Sequence, residues 1–152
     1  MKDSGNYNGL ESDYKTIAKF VYIFETQIRL CNTLSEFSIK YHRTADYFSH
    51  SVQKYVLYTS KDKLNGIKEF VKKGKQTLFF TESKYQLYDF CRHLRNSFCH
   101  ALIRKTETVL SIPDMKGRKI LTSKGIIEYS LAIEFFKILI SEYEEHIANE
   151  HR

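Results

Sequence analysis

Two arginines, two histidines and an asparagine fall within one stretch, Cys91-Arg92-His93-Leu94-Arg95-Asn96-Ser97-Phe98-Cys99-His100. They make it the one chemically dense part of the chain. An imidazole exchanges protons near neutral pH, and a guanidinium is permanently charged and presents a fork of hydrogen-bond donors. Tyr85, Tyr88, Cys91, Leu94, Phe98 and Leu102 recur at helical spacing, with Thr81 and Ser83 offering capping oxygens, so a helix is expected from about Thr81 to Arg104. On it Arg92, Asn96 and His100, four apart, span only about 80° and form one polar stripe, with Arg95 beside it. Partly buried cations at core-bearing positions need partners.

Arg95-Asn96-Ser97-Phe98-Cys99-His100 resembles the motif of HEPN domains (higher eukaryotes and prokaryotes nucleotide-binding): Arg, a polar residue, three variable residues, His. Asn96 is one of the polar residues usual at the second position. The resemblance implies an all-helical dimer over roughly residues 10–150, in which two motif helices meet and build a composite, metal-independent ribonuclease site. Arg95 and His100 would be its catalytic pair and Asn96 the helper. The expected reaction is attack by the RNA's own 2′-oxygen, leaving 2′,3′-cyclic phosphate and 5′-hydroxyl ends. His100 would move the proton and Arg95 would stabilise the phosphorane charge. The implied setting is a toxin or defence effector, with an antitoxin or other protein as a possible further partner. The alternative is a non-catalytic HEPN-like module that binds RNA, a nucleotide or a protein. A third reading is a structural bundle whose motif match is accidental.

The elements that must hold this helix read mostly as helices. Residues 1–9 are polar and aperiodic and are expected to fray. From Ser12 or Asp13, Ile17, Phe20, Val21, Phe24, Ile28, Cys31 and Leu34 mark one long amphipathic helix. Tyr47, Phe48, Val52, Tyr55 and Val56 predict a second, and Leu64, Ile67, Phe70 and Val71 before Gly74 a third. After the motif helix, Thr108–Ile112 and Lys119–Thr122 flank Pro113, Asp114 and Gly117 and predict a small hairpin, about 107–122. Helix is expected to resume at Ser123 and run through Ile126, Leu131, Phe135, Phe136, Leu139 and Tyr143. The expected fold class is therefore all-α, an antiparallel bundle of four or five helices with that hairpin before the last.

Composition agrees with one folded domain: 152 residues, 42% hydrophobic, 28% charged, with six Gly and one Pro. A net charge of +6 and a pI near 9.1 are compatible with a nucleic-acid partner. The longest apolar run, Phe20 to Phe24, is far short of the roughly 18 residues a membrane span needs, so a cytoplasmic protein is expected. Three cysteines without an export signal read as reduced thiols.

Weaker candidates are Arg92, which shares the motif stripe, and Lys72, Lys73 and Lys75 in the basic segment from Lys61, any of which could touch RNA phosphates. A lysine-rich face is more often simply solvated, and Tyr85 and Tyr88 are more often core than stacking platforms. Arg92 and His93 read first as solvated or interface polar residues. Cys91, His93, Cys99 and His100 point in different directions on one helix and make a poor zinc set. No cofactor is expected.

Overall fold

The computed structural model describes residues 13–66, 76–81, 84–100, 103–106, 108–116 and 120–151. Six α-helices are present among them: α1 (Tyr14–Thr26), α2 (Leu34–Lys40), α3 (His42–Tyr47), α4 (Lys61–Gly66), α5 (Gln86–Cys99) and α6 (Tyr129–Glu150). Six strands form one mixed sheet: β1 (Val56–Thr59), β2 (Thr77–Thr81), β3 (Arg104–Thr106), β4 (Val109–Ser111), β5 (Asp114–Lys116) and β6 (Ile120–Glu128). The strand order is β1-β2-β6-β4-β3, with β5 also pairing to β6.

The sheet corrects the all-α expectation. Val56-Leu57-Tyr58-Thr59 and Thr77-Leu78-Phe79-Phe80-Thr81 are short apolar, β-branched and aromatic runs, which periodicity alone cannot assign to helix or strand. β1 and β2 pair in parallel with Val56 opposite Leu78, and β2 pairs antiparallel with β6 with Phe80 opposite Ser123. The expected hairpin exists only in part: β5 pairs with Ile120–Ser123 of β6, whereas β4 pairs farther along, Leu110 opposite Ile127. The last helix accordingly starts at Tyr129, and residues 123–128 are strand. The long first helix also ends early, at Thr26, followed by a 3₁₀ turn, Ile28–Leu30, and then α2, which Thr33 caps through its hydroxyl. The second expected helix is present as α3 followed by a π turn, Phe48–Val52, and a 3₁₀ turn, Gln53–Tyr55, and ends where Val56 opens β1. Ile67, Phe70, Val71 and Gly74 of the third lie outside the described residues.

The core sits between the helices and one face of the sheet. Leu78, Phe80, Leu110 and Ile127 belong to it together with Phe20, Phe24 and Ile28, Phe90, Cys91 and Leu94 of α5, and Phe135, Phe136 and Leu139 of α6. Residues facing each other across antiparallel strands share a face, so Thr77 and Ile126 lie on the other side of β2 and β6. There α4 packs against β2 and β6 and buries Leu64. Phe20 and Phe136 stack at 4.4 Å between ring centroids and join α1 to α6. Gly125 has φ +144° and lies so close to β2 that a Cβ would stand 2.1 Å from the Thr77 carbonyl oxygen.

Candidate functional site

α5 carries the motif from Cys91 to Cys99 but is shorter than expected: Thr81 ends β2, Tyr85 precedes the first turn without a side-chain cap, His100 is the C-cap, and Arg104 opens β3. The polar residues of the motif are divided between three surroundings. His93 and Ser97 face inward. His93 is fully buried; its ring packs on Phe80 of β2 at 4.6 Å, and its Nδ1 lies 2.9 Å from Asp114 Oδ2. Ser97 donates to the Pro113 carbonyl. These bonds tie the helix to the segment that leads into β5.

Burial lowers the His93 pKa, with Arg92 adding to the effect, and together these outweigh the opposing pull of Asp114 and Asp89. The ring is therefore neutral at pH 7. Burial pushes the Asp114 pKa up, but hydrogen bonds from His93 and Asn96, with the charge of Arg92, bring it below the ordinary carboxylate range. A carboxylate accepts only, so the His93 proton sits on Nδ1, and Nε2 faces Arg92 Nη2 at 3.4 Å as an acceptor. Burial likewise pushes the Cys91 thiol well up, so it stays protonated.

Asn96 is the second tie to Asp114. Its Nδ2 donates to Asp114 Oδ2 at 3.0 Å, and its Oδ1 accepts from Arg95 Nη1 at 2.8 Å. Asp114 Oδ1 takes the N–H of Met115. The Arg95 guanidinium points to α1, where Nε stands 2.6 Å from Glu25 Oε1. That contact lacks hydrogen-bond alignment, so it is coulombic, whereas Glu25 Oε2 receives a hydrogen bond from Arg29. His100 lies just past the C-terminus of α5, where its N–H closes the last turn on the Asn96 carbonyl, and its side chain is exposed.

Arg92 is about one-quarter exposed and lies 3.9 Å from Asp89, a fully buried carboxylate that also accepts from the Tyr58 hydroxyl at 2.5 Å and the Lys84 N–H. Polar contacts thus run without a break from Tyr58 through Asp89, Arg92, His93, Asp114 and Asn96 to Arg95 and Glu25.

Of the sequence candidates, Arg95 and Asn96 touch each other, and Asn96 and Arg92 both belong to the network around Asp114 and His93. His100 meets Asn96 only through the backbone, and its side chain is exposed. Lys72, Lys73 and Lys75 lie outside the described residues. His93 corrects the reading of a solvated or interface residue. Asp114, Asp89, Tyr58 and Glu25 were not singled out. A carboxylate set among Leu110, Ile112 and Met115 was the available signal for Asp114, because a buried acid requires a donor. Cys31, Cys91 and Cys99 are free thiols, and among the described residues no group of three or more His, Cys, Asp or Glu could hold a metal. Comparison with protein-family models, with curated proteins and with solved structures finds no match to this chain.

Proposed function

We propose that the chain is a metal-independent endoribonuclease of HEPN type that works as a homodimer, with Arg95 and Asn96 of α5 and His100 just past its end as its catalytic residues. The observation that supports it is the division of labour between the two imidazoles of the motif segment: His93 within α5 is sealed and occupied at both ring nitrogens, whereas His100 just past its end is exposed and able to meet a substrate. The reading rests on this helix alone, because the mixed sheet removes the architectural part of the resemblance.

In the reaction the 2′-oxygen attacks phosphorus, the bond to the 5′-oxygen breaks, and the proton lost by the 2′-hydroxyl is balanced by one delivered to the leaving oxygen. A dimer that apposes two α5 ends supplies two copies of His100, one to take the proton and one to give it. Arg95 stabilises the phosphorane oxygens and Asn96 aims its guanidinium. A role as a toxin or defence effector in the cytoplasm, held in check by a partner protein, is the setting this reading implies.

The test is incubation of a labelled mixed-sequence RNA with the protein in EDTA, alongside the same sequence as DNA. Cleavage of the RNA alone, with 2′,3′-cyclic phosphate and 5′-hydroxyl ends, is expected; 3′-hydroxyl ends or cleavage of the DNA would refute the mechanism. The pairing of Arg95 with Glu25 favours a second reading, a non-catalytic module in which the arginine is structural. Glu25→Gln separates the two. Set against Glu134→Gln, an exposed site of equal charge change, it strengthens RNA binding no more than that control if Arg95 is structural, and severalfold more if Arg95 meets phosphate.

A further inference from the structure

β1 and β2 run parallel and adjacent, so their carboxyl ends, Thr59 and Thr81, open on the same edge of the sheet. A cavity of about 720 Å³ lies there, with Tyr58, Ser60, Lys61, Thr81, Lys84 and Tyr85 in its wall. The crevice beyond the carboxyl ends of parallel strands is where α/β sheets take ligands, and this volume is within the range of small-molecule sites.

The described wall holds two lysines, which favour an anion, and two tyrosine rings, which suit a flat ring. Ser60 Oγ accepts the N–H of Lys63 at 3.2 Å, which leaves its O–H to donate outward, next to the exposed Lys61. Lys84 contributes its stem and its field, since its ammonium is held 3.0 Å from the Cys31 carbonyl and 4.5 Å over the Tyr88 ring. Both tyrosine rings are pinned by their hydroxyls, Tyr58 on Asp89 and Tyr85 on the Cys31 carbonyl, so little rotamer freedom is lost when a ring packs on them. Asp89, behind the wall, is fully buried and faces Arg92 at 3.9 Å.

We propose that this cavity binds a 5′-phosphorylated nucleotide, its phosphate on Lys61 and the Ser60 hydroxyl and its base against Tyr58 and Tyr85. A free nucleoside monophosphate and the 5′-phosphorylated end of an RNA share this chemistry. The site is separate from the motif residues: α5 starts at the cavity with Gln86 and ends about 20 Å away at His100, at 1.5 Å per residue. It stands whether or not the protein cleaves RNA.

The test is calorimetric titration of the full chain with the four ribonucleoside monophosphates, the four nucleosides and inorganic phosphate. A 2′-O-methyl oligonucleotide with and without a 5′-phosphate completes the set. At least one phosphorylated probe is expected to bind at least about tenfold tighter than its unphosphorylated counterpart. Lys61→Glu should weaken it about tenfold or more, as should Ser60→Asp, which keeps a capping oxygen on α4 while placing a negative charge at the phosphate position. Lys54→Glu, outside the cavity and of equal charge change, should leave binding unaltered. Tighter binding of the phosphorylated oligonucleotide than of any monophosphate assigns the site to an RNA end, and the reverse assigns it to a free nucleotide. Equal binding with and without phosphate, equal loss in Lys54→Glu and Lys61→Glu, or no binding by any phosphorylated probe would overturn the proposal.

Discussion

Asp114 Oδ2 accepts from both His93 Nδ1 and Asn96 Nδ2 while Oδ1 accepts from Met115, so one carboxylate sets the orientation of two side chains on α5 and, through Asn96, of Arg95. Asp114→Asn removes the charge and turns one acceptor into a donor facing donors. It is expected to cost about 3 kcal/mol in urea unfolding, the range for breaking a buried, charge-assisted network. The same pair makes stability depend on pH with a definite sign. The folded His93 pKa is lowered from 6.5, so the unfolded chain binds the extra proton first, and stability falls as pH drops below about 6.5. The folded Asp114 pKa is lowered too, so its contribution is present above 3.8 and is lost in stronger acid. His93→Asn keeps a donor near the Nδ1 position and removes the titration. Its melting temperature should therefore change less between pH 7 and pH 5 than that of the wild type, and an unchanged slope would contradict the assignment of a neutral, buried His93. The types and spacing of these residues were legible in the sequence, including that they share a helix. Which of the two histidines is buried was not, because that depends on Asp114 and Phe80 arriving from strands that lie elsewhere in the chain.

α5 is held by α1 and β5, by the Phe80 ring of β2 and by Phe135 and Phe136 of α6, and the fold around it depends on two local devices. Gly125 lets β6 approach β2: a Cβ there meets the Thr77 carbonyl at 2.1 Å, at a φ of +144° that side chains disfavour. Gly125→Ala is expected to destabilise the protein by about 3 kcal/mol or more, or to prevent folding, as read by chemical denaturation. Glu142 of α6 is almost fully buried and accepts from the N–H groups of Arg43 and Thr44 and from the Thr44 hydroxyl, capping the first turn of α3 from a distant helix. Glu142→Gln sets an amide against those donors and should lower stability by about 2 kcal/mol with little change in helical circular dichroism. The long periodic segments, α1, α5 and the body of α6, were readable because apolar residues at three and four spacing admit one interpretation. β1 and β2 were not, since four or five apolar residues fit a buried helix equally well. β6 was misread as helix because Ile126 and Ile127 lie on opposite faces of a sheet covered on both sides, which erases alternation.

A net charge of +6 gives the chain a field that favours phosphate polymers, and the proposed RNA binding is expected to weaken steeply with added salt. No helix among the described residues is long and apolar enough to cross a membrane. The proposed composite site requires two chains, so sedimentation at micromolar concentration is expected to give twice the 18.0 kDa of one chain, and a monomer there would contradict the proposal. The most direct test of the account compares wild type, His100→Ala and His93→Asn on one labelled RNA in EDTA at a temperature where all three are folded. Cleavage by the wild type and by His93→Asn, and none by His100→Ala, is expected. Cleavage that survives in His100→Ala, or a dimeric wild type that leaves the RNA intact, would contradict it.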